Sequence, residues 1–308
     1  MPPTSASSLG ATAVASDALT LSARTRQLLA DYVELTKPKV QTLLLFTTVA
    51  TMEIAGSPPV SKIALTCLGG YLSAGGAGAV NHYYDRDIDA QMKRTATRPI
   101  PAGRIAPRSA LIFGIVLAAL SFALLWSTIN LLAASLSLAG FVGYVGVYTI
   151  LLKRRTPQNI VIGGAAGAVP PLVGWAAVHG SVSWTAAYLF AIVFYWTPPH
   201  FWSLSLLMKD EYAKVSVPMM PVVRGERETR RQIVLYTLLL YAISQLPFCA
   251  GAFGGVYLAA SMVLGLAFVG GAVVLYRRAD RRTALRLYLF SLAYLALLFG
   301  AMVADVKL

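Results

Sequence analysis

Charged residues are scarce in this chain of 308 residues, where they make up 13% of the sequence. An ordinary soluble domain carries about 25%. Hydrophobic residues make up 57%, and they fall in long continuous runs without the alternation of a membrane β-barrel. Because a helix needs about 20 apolar residues to cross a bilayer, these runs exclude a soluble fold. They predict an all-α polytopic membrane protein.

Cysteine is also rare, with two residues in the chain. Cys67 and Cys249 lie inside apolar runs and form no CxxC pair, so no zinc site is predicted. We expect two buried thiols, with a disulfide as the alternative. An apolar core typical of a secretory signal is missing near the start of the chain. We interpret residues 1–30 as a disordered cytoplasmic tail and residues 31–308 as a single transmembrane domain.

The apolar runs predict about nine transmembrane helices. They lie near 39–56, 61–84, 108–127, 130–151, 158–178, 184–207, 232–250, 253–276 and 284–303. All of the 26 lysines and arginines except Lys62 and Lys307 fall in alternate connections. The positive-inside rule therefore places the N-terminus in the cytoplasm and the C-terminus outside. Topology and anionic lipid account for the net charge of +13, so no nucleic-acid partner is predicted.

Two long cytoplasmic connections, about 85–107 and 208–231, carry acidic residues. At the first, Asn81, Asp85 and Asp89 recur every four residues, so on a continuing helix they share one narrow face. Two carboxylates and an amide oxygen are hard ligands that suit Mg²⁺. The alternative is a solvated helix end whose carboxylates pair with nearby cations.

A basic segment follows this acidic cluster at once. Lys93, Arg94 and Arg98 stand in the same connection, among prolines. Cations beside metal-binding carboxylates form a clamp for phosphate groups. The alternative is positive-inside charge alone, which does not explain why acids and bases alternate in one loop.

The second connection repeats this design after the sixth predicted span. Asp210 opens it, followed closely by Tyr212 and Lys214. His200 precedes it within the span, where an ionisable residue is a functional candidate by default. It could ligate or orient a metal-bearing substrate, shuttle a proton, or hydrogen-bond between helices. Asn159, which opens the fifth span after Lys153, has the position of a helix cap.

Four segments of the chain carry a resemblance to a known family. They are 35–39 (LTKPK), 81–104 (NHYYDRDIDAQMKRTATRPIPAGR), 152–175 (LKRRTPQNIVIGGAAGAVPPLVGW) and 197–223 (TPPHFWSLSLLMKDEYAKVSVPMMPVV). With these segments the sequence resembles the UbiA superfamily of intramembrane prenyltransferases, and within it the heme-prenylating branch most closely. The resemblance implies helices around a lipid-open central cavity. It also implies two aspartate-rich motifs that hold a prenyl diphosphate through Mg²⁺ on the cytoplasmic side.

The resemblance assigns roles residue by residue. The implied catalytic residues are Asp85, Asp89, Asp210 and Lys214, the metal ligands are Asn81, Asp85, Asp89 and Asp210, and the substrate-binding residues are Asn81, Lys93, Arg94, Arg98, Lys153, Asn159, His200 and Tyr212. Many relatives have an aspartate where this chain has Lys214. We hypothesise that this lysine replaces the charge of one metal ion.

The resemblance also implies the reaction. Mg²⁺ and the basic clamp would assist ionisation of farnesyl diphosphate, and a vinyl group of heme b would attack the allylic cation before water adds. The expected location is the bacterial plasma membrane, surrounded by lipid, with the site facing the cytoplasm. A heme-handling membrane partner is compatible with this assignment, and no oligomeric state is predicted.

Three alternatives remain open. The chain could be a UbiA relative with another ring acceptor, such as a quinone precursor or chlorophyllide, although the segment around His200 and the presence of Lys214 favour heme. A polytopic transporter would predict polar residues at mid-span, whereas charge gathers at one predicted membrane face. A CDP-alcohol phosphotransferase would carry an Asp-Gly and Ala-Arg signature, which this sequence lacks.

Overall fold

The computed structural model describes residues 23–308, and this part of the chain consists of helices and turns without a strand. The helices are α1 (23–35), α2 (Pro38–Ala55), α3 (Val60–Tyr84), α4 (Arg86–Asp89), α5 (Pro107–Thr128), α6 (Leu131–Val142), a π-helical segment (Gly143–Leu152), α7 (Asn159–Gly167), α8 (Val169–His179), α9 (Trp184–Leu207), α10 (Lys209–Lys214), α11 (Met220–Val223), α12 (Gly225–Ile243), α13 (Leu246–Cys249), α14 (Gly255–Arg278) and α15 (Arg281–Lys307).

Seven stretches within residues 23–308 are long and apolar enough to cross a membrane. They are α3, α5, α6 with the π segment, α7 with α8, α12 with α13, α14 and α15. Two further helices occupy predicted spans but fall short of this measure. Gln41, Glu53 and several threonines make α2 more polar, while Pro, His, Trp and Tyr residues do the same for α9. The chain is therefore an all-α integral membrane protein.

The predicted tail needs a correction at its C-terminal end. Residues 1–22 lie outside the described part of the chain, but residues 23–30 belong to helix α1. The helix packs through Leu35 and Tyr32 against a small core that includes Ala79 and Phe113. These contacts explain why a segment without a long apolar run is nevertheless helical.

Local sequence features explain where the helices begin and end. Pro107 occupies the first turn of α5, where its missing N–H costs no hydrogen bond. The Asn130 side chain accepts a hydrogen bond from the Ala133 N–H at 2.8 Å and caps α6. Gly180 ends α8 at a φ of 67°, in the left-handed region that glycine tolerates best. The fifth predicted span is divided between α7 and α8, because prolines occupy the first turn of α8.

Small residues bring α3 close to its neighbours. A Cβ atom on Gly76 would lie 2.5 Å from the Gly114 carbonyl oxygen, so α3 and α5 touch through their backbones. A Cβ atom on Gly78 would lie 3.0 Å from the Leu35 carbonyl oxygen. The turn between α1 and α2 therefore lies against the last turns of α3, and this brings Lys37 to the acidic cluster.

The main hydrophobic core lies among α9, α12, α14 and α15. Its largest fully buried side chains include Trp202, Tyr257, Phe268, Tyr294 and Phe299. The Trp196 indole N–H donates to the Ser291 carbonyl oxygen at 2.7 Å and ties α9 to α15. Both cysteines are free thiols, and the expected burial is wrong for both, since Cys67 is half-buried and Cys249 is exposed.

Candidate active site

Asn81, Asp85 and Asp89 form a buried polar stripe at the end of α3, with exposed fractions of 2%, 0% and 3%. The backbone continues helically through them, since the Asp85 N–H donates to the Asn81 oxygen at 2.9 Å and the Asp89 N–H to the Asp85 oxygen at 2.8 Å. The Asn81 amide also donates to Asp85 Oδ2 at 2.7 Å. The predicted continuation of the helix is therefore present, and it places all three side chains together. We call them the acidic stripe.

Each member of the acidic stripe contacts a lysine or arginine side chain. Lys37 donates to Asn81 Oδ1, and Lys153 pairs with Asp85 Oδ2. Arg98 Nη1 lies 2.6 Å from Asp89 Oδ2. Lys153 and Arg98 were predicted for this site. Lys37 was missed as a site residue, although it stands in one of the segments that carry the family resemblance.

Lys37 lies just before α2, outside the helices that cross the membrane. Burial, followed by the positive charges of Arg98 and Lys153, lowers the pKa of Lys37 to about 7. The charges of Asp85 and Asp89 act in the opposite direction. Burial and the neighbouring positive charges thus both disfavour the ammonium form of Lys37, and an anionic ligand bound here would stabilise that form.

The π segment and the residue that follows it contribute two side chains, Thr149 and Lys153, that contact the acidic stripe. The Lys153 N–H donates to the Tyr148 oxygen at 2.8 Å, a five-residue step that continues the wider π winding. Within the segment, Thr149 Oγ1 donates to the Tyr144 oxygen at 2.9 Å and accepts from the Asn81 amide at 3.2 Å. This winding brings Thr149 and Lys153 to the stripe, and the hydrophobic pattern gave no sign of it.

Arg154 fixes the turn after the π segment to the same place. Its guanidinium donates to both Asp87 carboxylate oxygens at 2.7 and 2.6 Å, and to the Tyr84 carbonyl oxygen at 2.9 Å. The hydrogen bond from Arg154 holds the pKa of the Asp87 carboxyl below its usual range. Arg154 Nη2 also approaches Asp85 Oδ1 to 3.6 Å, so it adds positive charge beside the stripe.

The second long connection contacts the first through Glu211 rather than Asp210. Glu211 accepts a hydrogen bond from the Lys93 backbone N–H at 2.8 Å and from Lys214 at 3.2 Å. Both contacts hold the pKa of this carboxyl below its usual range, the backbone one first. Asp210 is exposed on α10 and forms no ion pair or hydrogen bond within the described residues. The two long connections therefore meet, with Lys93 contributing its backbone.

Three other predicted site residues, Asn159, Tyr212 and Arg94, form no hydrogen bond or ion pair with the acidic stripe among the described residues. Asn159 is fully buried and donates to the Thr156 oxygen at 2.8 Å, so its side chain stabilises the preceding turn instead of capping α7. Tyr212 packs against the main hydrophobic core. Arg94 is exposed and has no partner among residues 23–308.

His200 lies in α9, away from the ion pairs and in contact with aromatic rings. It is 6% exposed, and its Nδ1 atom lies 2.7 Å from Ser291 Oγ. Its ring stacks on Trp196 and Tyr288, at centroid distances of 4.3 and 4.8 Å. His82 is also buried, but neither of its ring nitrogens has a hydrogen-bond partner in the described part of the chain.

The donor atoms of the acidic stripe fit a Mg²⁺ ion that arrives with a diphosphate. Within residues 23–308 there is no group of three His, Cys, Asp or Glu side chains arranged to hold a metal. Mg²⁺ commonly takes only one or two carboxylates and completes its shell with water and substrate phosphates. Asp85 Oδ1 is a buried oxygen of the stripe without a hydrogen-bond partner in the part of the chain described, and Arg154 approaches it only to 3.6 Å, so a hard ligand is available here.

Comparison with known proteins gives consistent matches. Residues 43–298 match the model of the UbiA prenyltransferase family. A protein named protoheme IX farnesyltransferase from Symbiobacterium thermophilum is 53% identical over 91% of this chain and 95% of its own length. Relatives of the same name from Chloroflexus aurantiacus and Thermus thermophilus are 54% and 55% identical. The matches cover 91% and 89% of this chain, which spans about half the length of those two proteins, 48% and 46%.

Solved structures show the same fold at low sequence identity. A digeranylgeranylglyceryl phosphate synthase structure matches with a TM-score of 0.76 at 20% identity, covering 92% of this chain and 100% of that one. A UbiA homologue from Archaeoglobus fulgidus, bound to DMAPP and Mg²⁺, matches with a TM-score of 0.67 at 16% identity. The overlap covers 90% of this chain and 99% of that homologue.

Proposed function

Because the chain belongs to the UbiA prenyltransferase family, we propose that it transfers a farnesyl group from farnesyl diphosphate to a vinyl group of heme b. The products are heme O and diphosphate. One observation carries the proposal: the buried acidic stripe lies among Lys37, Lys153 and Arg98, which together suit a metal-bound diphosphate. The names of the relatives that are about half identical to this chain support the choice of both substrates.

The chain would hold Mg²⁺ through Asn81, Asp85 and Asp89. Asp210, which is exposed on α10, is the ligand that we propose from the second connection. When bound, Mg²⁺ neutralises the diphosphate and makes it a better leaving group. Lys37, Lys153 and Arg98 already contact the stripe, so they are placed to donate charge-assisted hydrogen bonds to phosphate oxygens. These bonds strengthen as negative charge grows on the leaving oxygen.

The bond changes follow from this arrangement. The bond between farnesyl C1 and the diphosphate oxygen breaks, and its electron pair stays on the diphosphate. The π electrons of the heme vinyl group then form a carbon–carbon bond to C1, which leaves a cation on the vinyl carbon next to the ring. Water adds there and loses a proton, which gives a hydroxyethylfarnesyl side chain. The membrane-embedded site protects the first cation from premature capture by water.

We further propose about nine spans, with α2 and α9 completing the seven that are apolar enough by themselves. Alternation of basic residues supports a cytoplasmic N-terminus, an external C-terminus and an active site at the cytoplasmic face. The ion pairs of the acidic stripe cluster at the predicted cytoplasmic ends of α3 and of the π segment, in agreement with this orientation. A bacterial plasma membrane is the proposed location.

The acceptor is tested by competition in the membrane. We would supply purified protein in lipid with radiolabelled farnesyl diphosphate, Mg²⁺ and equal amounts of heme b and 4-hydroxybenzoate, a quinone-ring precursor. We expect label to appear in a modified heme and not in the benzoate ring. Label in the benzoate ring would show that the chain belongs to a quinone-type branch and would reject heme b as the acceptor.

A further inference from the structure

The hydrogen bonds around Ser291 determine which nitrogen of His200 carries the proton. Ser291 Oγ lies 2.6 Å from the Tyr288 carbonyl oxygen and 2.7 Å from His200 Nδ1. A carbonyl oxygen can only accept, so the single hydroxyl proton of Ser291 is donated to Tyr288. The hydroxyl oxygen must then accept from His200. The neutral ring therefore carries its proton on Nδ1.

The other nitrogen of His200 is left with a free lone pair. No group within residues 23–308 lies within hydrogen-bond distance of Nε2, and a proton there would have no acceptor. The atom is not among the buried unpaired nitrogens, so it keeps accessible surface. Both nitrogens of His82, by contrast, are buried and unpaired. Of these two buried histidines, His200 is the one that a ligand can reach.

The surroundings of His200 also fix the orientation of its ring. Trp196 stacks on it with an interplanar angle of 20°, and Tyr288 stacks with an angle of 29°. Trp196 in turn donates its indole N–H to the Ser291 carbonyl oxygen at 2.7 Å. Because aromatic rings occupy the ring faces, a ligand meets His200 at its Nε2 edge. The stack and the hydrogen bond together hold that edge in one direction.

We infer that His200 Nε2 ligates the iron of the heme substrate, and that Ser291 is the positioning residue that sets the required tautomer. This inference rests on the proposed function, since it takes heme b as the acceptor. A neutral imidazole whose second nitrogen donates to a fixed acceptor is the form in which histidine binds metal ions. A proton-shuttle role would require a donor or acceptor at Nε2, and the described residues provide none.

Heme binding can be measured without catalysis. We would titrate the full chain in lipid nanodiscs with heme b, without farnesyl diphosphate, and record absorption and electron paramagnetic resonance spectra. The wild type should show histidine-ligated iron. His200→Gly should lose that signature and regain it when imidazole is added, whereas His179→Ala should match the wild type. His179 is a suitable control because it binds the Ala55 carbonyl oxygen in another part of the molecule.

Variants of Ser291 test the tautomer. Ser291→Ala should weaken heme binding about 10-fold, as expected when the outer partner of a metal-binding histidine is lost. Ser291→Thr keeps the hydroxyl and should bind heme within a few-fold of the wild type. Size-exclusion chromatography of each variant confirms that it is folded. Wild-type affinity in Ser291→Ala would refute the role of Ser291.

The spectra separate this inference from the proposed reaction. An unchanged signature in His200→Gly, in a protein that still farnesylates heme, would overturn iron ligation and leave the reaction standing. Loss of the signature in His200→Gly with imidazole rescue, in a wild-type protein that makes no farnesylated heme, would support the ligation and refute the reaction. A signature that disappears but is not restored by imidazole would also count against ligation by this side chain.

Discussion

Asp85 is the residue on which most contacts of the site converge. Its side chain is fully buried, one oxygen is bound by Lys153 and Asn81, and the other has no hydrogen-bond partner within the described residues. A buried carboxylate is stable only when cations or hydrogen bonds compensate it. The Arg154 guanidinium approaches the second oxygen only to 3.6 Å, so within the described residues this oxygen has no hydrogen bond to lose when it binds a metal ion. Asp85 therefore serves both the folded structure and the proposed chemistry.

Asp85→Asn should lower kcat by about 100-fold or more, since it removes a charge that holds the metal against the leaving diphosphate. Lys153 loses its partner at the same time. The measurement is steady-state product formation by protein that elutes as a folded species. Glu53→Gln is the matched control, because Glu53 lies near the opposite end of α2 from Lys37 and pairs with Lys307. Wild-type turnover by Asp85→Asn would reject Asp85 as a metal ligand.

The sequence predicted the acidic stripe but not all of the side chains that contact it. The four-residue spacing of Asn81, Asp85 and Asp89 is a local property, so it could be found without a structure. Lys37 contacts Asn81 across 44 positions of sequence, and no local pattern indicates such a contact. The contact between Ser291 and His200 could not be predicted for the same reason, since 91 positions separate the two residues.

An ion pair joins helix α1 to the connection 90–106. Arg104 Nε donates to both Asp31 oxygens at 2.9 and 3.0 Å, and its guanidinium donates to the Thr97 oxygen at 3.1 Å. The Asp31 carboxylate is almost completely buried. The connection also carries Arg98, which binds Asp89. The ion pair between α1 and Arg104 therefore helps to place Arg98.

Arg104→Gln should destabilise the protein by roughly 1 to 3 kcal/mol, because it removes the cation that pairs with the buried Asp31 and leaves the carboxylate with the Gln27 amide. Arg104 is about one-third exposed, which limits the loss. It should also raise KM for farnesyl diphosphate. Adding Asp31→Asn should recover much of the stability but not KM, since Arg98 remains displaced. Thermal unfolding and steady-state kinetics measure the two effects separately. A double variant with wild-type KM would show that the ion pair supports folding only.

Besides dividing the fifth span, the structure revises the predicted elements in two places for identifiable reasons. Residues 23–30 join α1 because Tyr32 and Leu35, further along the same helix, find a core to pack on. The π segment replaces the end of a predicted regular helix, because Thr149 contacts Asn81 and Lys153 contacts Asp85. Long apolar runs predict helices reliably. Short amphipathic helices and changes in winding depend on tertiary contacts.

Helices from the two ends of the described chain pack against each other. Helix α15 packs against α2, and Lys307 Nζ lies 2.8 Å from Glu53 Oε2. At the site, the Lys93 N–H binds Glu211, which joins the two long connections. The candidate site thus draws residues from many parts of the chain. A fold of this kind could be predicted as polytopic and helical, whereas the way its loops meet could not.

We propose that this chain farnesylates heme b with the help of Mg²⁺. The most direct test incubates the purified protein in lipid with heme b, farnesyl diphosphate and Mg²⁺, and separates the hemes by chromatography with mass spectrometry. We predict a heme heavier by one farnesyl group and one hydroxyl group, and its loss when EDTA removes the metal. Folded protein that binds heme b and yields no heavier heme would refute the reaction, and a product that persists in EDTA would refute the need for Mg²⁺.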